Sequence, residues 1–318
     1  MTDPVVSVGA LQLLGDRLAL VNALEDVVDT TLLALEELLG HRSAMLLVHE
    51  PERDQLVTLA SRGFGAAGTG SEVALGQGFI GMAGARRRPM RIGNLQRMLS
   101  YARTVQRTAS LDGATDVEIS LPRLPDAGSQ MAAPLIARGV LLGVIAVESP
   151  DALAYDELDE RVFAVAAHLV AAALEREQLA VADPEPMSSA ATVVPVELAP
   201  APPPSADAPV TLRHYAVDGS TFLDDDYVIK GVAGRLLWKL VAEHAATGRT
   251  SFTNREAKLD PVLELPVYRD NFESRLILLK RRLSERHAPI RLTSSGRGRF
   301  ELEVSGPLVL VSVPAPRR

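Results

Sequence analysis

The sequence predicts an α+β protein of two domains: an antiparallel sheet with flanking helices, then a smaller domain of helices closed by a hairpin. Three observations predict it. The 318 residues exceed one ordinary domain. Residues 182 to 209 hold eight of the 21 prolines and carry no periodic apolar pattern; proline fixes φ and lacks an N–H, so neither helix nor central strand runs through them. Charge divides at the same place. Residues 209 to 318 hold 18 Lys+Arg against 13 Asp+Glu, and the preceding residues hold 15 against 27. The reading is therefore a first domain over 9–180, a Pro/Ala-rich linker over 181–208 and a second domain over 209–313, with any nucleic-acid contact in the basic second domain.

Element by element, residues 9 to 40 read as one helix, with Leu20, Leu24, Val27, Val28, Thr31, Leu32 and Leu35 at three- and four-residue steps. Strands follow at Ser43–Val48 and Leu56–Ala60 around the charged turn HEPERDQ. Then comes GQGFIGMAGARRRPMRI, where Gly76, Gly78 and Gly81 allow tight turns or a close approach. Strands at Met131–Ile136 and Leu142–Glu148 flank ARGV, and a helix closes the domain at Tyr155–Leu179. From Val73 to Leu111 there are seven arginines and no acidic residue. Arg86, Arg87, Arg88 and Arg91, with Phe79 and Met131, are candidates to line a pocket for a small anionic ligand, which arginine holds bidentately. The other reading of this run is a solvated basic loop.

These residues resemble a known family. GQGFIGMAGARRRPMRI, SQMAAPLIARGVLLGVIAVES and LAYDELDERVFAVAAHLVAAALE, in that order over about 170 residues, are similar to the three conserved segments of GAF domains. The resemblance implies a six-stranded antiparallel sheet, a ligand-sized space beneath the excursion, and a sensory or dimerising role. Half of the signature of the cyclic-nucleotide-binding members is missing, since Glu148-Ser149 stands where they carry Asn-Lys. The chain has no cysteine, which excludes tethered bilins, thiol reductase chemistry, disulfides and thiolate zinc sites. The alanine-rich outer helices allow close helix approach; the resemblance implies that they form a homodimer bundle, and the other reading is simple packing on the sheet.

In the second domain, short strands surround LDDD, read as a solvated turn rather than a metal site. A helix over Gly234–Ala246 has Leu236, Leu237, Leu240 and Val241 as its buried face. Thr253 and Glu256 form a T-x-x-E capping box, and Asp270 with Glu273 repeats the pattern ahead of a basic helix. On that helix Phe272, Leu276, Leu279 and Leu283 fall within about 60° of one another and are core. Asn271, Arg275, Leu278, Arg282 and Arg286 form a neighbouring stripe suited to a major groove, Lys280 and Arg281 reach toward backbone, and Arg297 and Arg299 occupy the turn GRGR. RLLWKLVAEHAATGRTSFTNREA, LLKRRL and IRLTSSGRGRFEL resemble the winged helix-turn-helix effector domain of OmpR-type response regulators. The resemblance implies DNA binding; Leu278, standing where many relatives place an arginine, departs from it, and arginines flanking an apolar face also occur simply as its wet margin.

No apolar run approaches the roughly 18 to 20 residues of a membrane span, and no basic segment precedes the first apolar residues. No Walker A, G-x-S-x-G or HExxH pattern occurs. The expectation is a cytoplasmic, non-enzymatic transcriptional regulator without cofactor or metal, with DNA and a second copy of itself as partners; the alternative is a signalling scaffold whose second domain docks protein.

Overall fold

The computed structural model describes residues 4–65, 68–95, 119, 121–182, 209–263, 265, 272–296 and 298–314. The chain divides into two compact units, Met1–Glu177 and Gln178–Arg318. The linker, from residue 183 on, lies outside the described residues, as do Asn271 and Arg297.

The expected single N-terminal helix is two, α1 (Pro4–Leu20) and α2 (Leu24–Leu39). Ser7, Ala10, Leu14 and Leu18 form the buried stripe of α1, at the spacing that puts side chains one above another on a helix. The break at Val21–Ala23 is held from the far end of the unit. Arg176 donates to the carbonyls of Leu18 and Val21 at 3.0 and 2.8 Å, satisfying acceptors that a helix C-terminus leaves open. Helix α2 ends on Gly40, whose φ of 72° is the left-handed cap.

The sheet comprises β1 (Ser43–Glu50), β2 (Gln55–Arg62), β3 (Glu72–Ala74), β4 (Met90–Ile92), β5 (Ser129–Ala137) and β6 (Val140–Ser149), with helix α3 (Gly78–Arg86) between β3 and β4. Its order is β3-β2-β1-β6-β5-β4, with every neighbouring pair antiparallel. The turn from β5 to β6 is Arg138-Gly139, both at positive φ, the two-residue geometry that matches strand twist. At the sheet centre β1 and β6 approach so closely that a Cβ on Gly143 would lie 2.0 Å from the Leu47 carbonyl oxygen. The excursion glycines act as expected: Gly76 and Gly78 have φ of 81° and 59°, and a Cβ on Gly81 would lie 2.3 Å from the Ala74 oxygen. Helix α4 (Glu157–Ala182) closes the unit. Asp156 caps it, accepting from the amides of Leu158 and Asp159, and Phe163, Ala166, Ala167, Val170, Ala171 and Leu174 are its buried face.

The second unit opens with β7 (Val210–Tyr215), β8 (Thr221–Leu223) and β9 (Asp226–Ile229), followed by α5 (Gly231–Thr247), β10 (Ser251–Thr253), α6 (Asn254–Leu259), a 3₁₀ turn Pro261–Leu263, α7 (Phe272–Glu285), β11 (Ile290–Gly296), β12 (Arg299–Val304) and β13 (Leu308–Val313). Two sheets result, β13-β7-β8-β9 and β10-β12-β11. The expected hairpin is thus a three-stranded sheet, tied by stacked Phe252 and Phe300, 5.9 Å between centroids. The last strand returns to the first: β13 pairs with β7 in parallel, Leu308 beside Val210 and Val313 beside Tyr215. Leu236, Leu237, Leu240 and Val241 are buried on α5. Both bonds of the Thr253–Glu256 capping box are formed.

Candidate functional site

In the first unit the sheet face beneath α3 carries an apolar cluster. Met45, Leu47, Leu56, Ala132, Val144 and Ala146 rise from the strands, Ile80 and Ala83 descend from α3, and Phe64, Val73, Leu75, Phe79 and Met90 fringe them. The face is apolar, because alternate strand residues share a face and these are the alternate positions of β1, β5 and β6. The polar groups on it satisfy one another. The Thr58 and Ser71 hydroxyls bond each other at 2.8 Å, and Glu148 accepts from Gln130 Nε2 at 3.1 Å and from the Leu124 amide at 2.8 Å. Burial pushes the Glu148 carboxyl upward, opposed by the Leu124 bond and by Arg123.

Of the residues expected to line a pocket, Phe79 packs against this face. Met131 does not: it precedes Ala132 and is paired with Val147, so strand alternation turns it to the opposite side of the sheet. Arg86, Arg87, Arg88 and Arg91 are exposed. Arg87 donates to the Gly139 carbonyl at 2.8 Å and Arg91 pairs with Glu160 at 2.9 Å. They sit at the C-terminal end of α3 and on edge strand β4, which aims them outward, so they form a wet basic surface and do not converge on the apolar face.

Behind the sheet, the His41 ring meets Tyr155 and Phe163 edge-on, each at 5.6 Å. Burial lowers the His41 pKa to about 4, against the pull of Asp159, and raises that of the Tyr155 hydroxyl. No sequence pattern announced this contact.

In the second unit the basic stripe of α7 divides. Arg275 and Arg282 are 2% and 5% exposed, and burial is unbroken from Ser274 to Leu279. Arg282 Nε donates to the Val228 carbonyl of β9 at 3.0 Å and its guanidinium meets Glu285 at 3.2 Å; burial lowers its pKa. Both arginines therefore leave the expected DNA-facing stripe: the fold buries a second side of the helix, with β9 at Arg282, and the helix's own periodicity cannot reveal that. Lys280 donates to Ser294 Oγ at 2.6 Å, linking α7 to the hairpin. Arg281 is partly buried, while Arg286 and Arg299 are exposed, with Arg286 3.7 Å from Asp226. The Gly298 carbonyl accepts from the Asn254 amide at 2.9 Å, fixing the hairpin tip to the start of α6.

One structural hub escaped the sequence reading. Arg249 holds Glu243 at 2.9 Å and Glu256 at 2.7 Å, and lies 4.8 Å over the Phe252 ring. Among the described residues no three His, Asp or Glu side chains cluster to hold a metal ion, and no helix is long and apolar enough to cross a membrane. The LDDD turn is a backbone device: Asp224 accepts from the Thr211 amide at 2.8 Å.

Residues 21–175 match the GAF domain family model. Among solved structures, the GAF domain of a phosphoenolpyruvate-protein phosphotransferase from Coxiella burnetii is 17% identical, with a TM-score of 0.45 over 57% of this chain and 99% of that one. The corresponding Acinetobacter GAF domain is 12% identical, with a TM-score of 0.42 over 56% and 98%. Free methionine-R-sulfoxide reductase from Neisseria meningitidis, in complex with its substrate, is 17% identical, with a TM-score of 0.43 over 57% and 96%. No curated protein matches the chain.

Proposed function

We propose that this chain, a GAF domain over its N-terminal half followed by a second α+β unit, is a cytoplasmic, non-enzymatic transcriptional regulator. In this reading the first unit senses a small molecule, dimerises, or both, and the second is a winged helix that binds DNA. The observation that carries it is the second unit's layout: α5, a capped α6, a long basic α7, and then a hairpin with Arg299 at its tip. The segregation of positive charge into this half supports it.

The contact set differs from the helix stripe. With Arg275 and Arg282 buried, Lys280, Arg281, Arg286 and Arg299 are the described cations left near the α7 end and the hairpin, beside Arg291, exposed on β11. These suit phosphates better than base edges, so binding should be strongly salt-dependent and weakly sequence-selective. The apolar face beneath α3 favours a compact, mostly apolar ligand over the anion expected from the arginine run. Such a ligand alters DNA affinity only through unequal affinity for two arrangements of the protein, and a dimer raises affinity by holding two binding heads together. The homodimer reading is supported by Val5, Val6, Val8 and Leu13, exposed on α1.

A second reading, a protein-docking scaffold, is favoured by the burial of Arg275 and Arg282, which removes them from the expected DNA-facing stripe. A gel-shift salt series of the full chain against fragmented genomic DNA decides between them. Retarded DNA at low salt, with Arg299→Ala lowering the slope of log K against log salt by roughly one, is the expected result. A chain that leaves DNA unshifted at low salt removes the DNA reading.

A further inference from the structure

Among the described residues, strand β13, LVLVSV, is an edge. Its neighbour is β7, and the bonds from the Val210 amide to the Pro307 carbonyl and from the Ala216 amide to the Val313 carbonyl fix the phase of that parallel ladder. In a parallel pair, alternate residues turn both main-chain groups toward the neighbour. Val309, Val311 and Val313 therefore bond β7, and the N–H and C=O groups of Leu308, Leu310 and Ser312 point away from it. β7 follows the complementary phase, with Thr211 and Tyr215 bonded across to the β8 side.

Edge strands are ordinarily blunted by charge, proline or a bulge. This one carries no charged residue and no proline from 308 to 313, and no register shift interrupts its ladder. Prolines bracket it at 307 and 314, so an open ladder of six residues has defined ends. Its outer side chains Val309 and Val311 are 45% and 37% exposed; Thr211 and Arg213 stand beside them on β7, and farther across the sheet Tyr215, Phe222 and Tyr227 stack edge-on at 5.6 and 5.4 Å.

We propose that β13 pairs antiparallel with β13 of a second copy of this chain, about a two-fold axis at Leu310, joining two four-stranded sheets into one. The outward groups are self-complementary. Leu310 meets its own mate, Leu308 meets Ser312 of the second copy, and every outward N–H and C=O finds a partner. The next pair in the ladder would need an N–H from Pro314, which has none, so the register ends where the strand does. On the outer face Val309 of one copy stands opposite Val311 of the other, so the exposed valines of the two copies meet symmetrically. The pairing goes beyond the homodimer read above by assigning it a second surface, and rests on that reading only for local concentration.

The chain has no cysteine, so introduced thiols report the contact. Across a hydrogen-bonded antiparallel pair the Cα atoms are about 5.5 Å apart, inside the roughly 4.4–6.8 Å range of a disulfide. Position 309 meets its like-numbered mate on the diagonal, about 7–8 Å away. Under mild oxidation the full-length Leu310→Cys chain accumulates a disulfide-linked dimer and Val309→Cys does not. Adding Ser312→Pro, which deletes an outward N–H and no β7 bond, abolishes the link while leaving the fluorescence of Trp238 unchanged. Equal linking at both positions, or none at 310, overturns the pairing. Sedimentation of the unaltered chain separates this from the earlier reading. A dimer whose Leu310→Cys form stays unlinked sinks the β13 pairing and leaves dimerisation through the first unit. A chain without a first-unit dimer whose Leu310→Cys form links at raised concentration keeps the pairing and sinks that reading.

Discussion

Arg282 separates a structural from a DNA-reading role for α7. Removing its side chain (Arg282→Ala) deletes a charge-assisted bond to the Val228 carbonyl, 3.0 Å long, and leaves a strand acceptor unsatisfied. A bond to a charged donor is worth about 1.5–3 kcal/mol. The Glu285 partner is 30% exposed, so that ion pair adds only about 0–1 kcal/mol. Lost packing of the buried stem brings the expected destabilisation to about 2–4 kcal/mol. At a slope of about 2 kcal/mol/M, the urea midpoint should fall by roughly 1–2 M. The assay is built into the chain: Trp238 on α5 is its single tryptophan and lies in the same unit, stacked on His214 at 5.3 Å. Arg282→Met keeps the packing of the stem but leaves the Val228 carbonyl equally unsatisfied, so it should recover only the packing part of the loss, about 1 kcal/mol. DNA retardation should survive in both variants wherever they are folded. An unmoved urea midpoint in Arg282→Ala, with DNA binding lost, would refute the reasoning and return Arg282 to the groove.

Three further outcomes are expected. The unfolded His41 imidazole takes a proton near pH 6.5 and the folded one near 4, so the first unit should lose up to about 3 kcal/mol as pH falls through that window; His41→Phe should remove that part of the slope in parallel denaturation series. Gly143→Ala, whose Cβ would press on the Leu47 carbonyl, should cost the first unit about 3 kcal/mol or more, read as a lower thermal midpoint by circular dichroism with the Trp238 transition unmoved. Thr253→Ala removes the cap of α6 and should cost about 1 kcal/mol, visible in the Trp238 urea curve, with Thr253→Ser restoring most of it.

What the sequence discloses is what local physics decides. Short apolar runs bounded by turn residues located the long strands, Arg138-Gly139 their tight turn, and Thr253–Glu256 the start of α6. Features decided by distant partners were illegible. The break between α1 and α2 keeps apolar spacing through Val21 and is sealed by Arg176, far along the chain. Strands β3, β4 and β10 have three residues each, too few to show a period. The basic stripe failed for a related reason: a helical wheel orders residues by angle but does not say how many sides the fold covers, and α7 is covered on two. Met131 was misassigned by one residue of phase, which in a strand exchanges faces. The run LVLVSV between two prolines, absent from the expected closing hairpin, is a further strand, and nothing local indicates that it returns to β7.

That return has a mechanical meaning. β7 begins the second unit, β13 ends its described part, and they lie side by side in parallel. Tension applied between the linker and the C-terminal tail would pull on Val210 at one end of the ladder and on Val313 at the other. Parallel strands drawn from opposite ends slide past each other, so their hydrogen bonds are strained together rather than peeled one by one. The second unit should therefore resist stretching along its own chain far better than a hairpin such as β11–β12, which opens from its ends like a zipper.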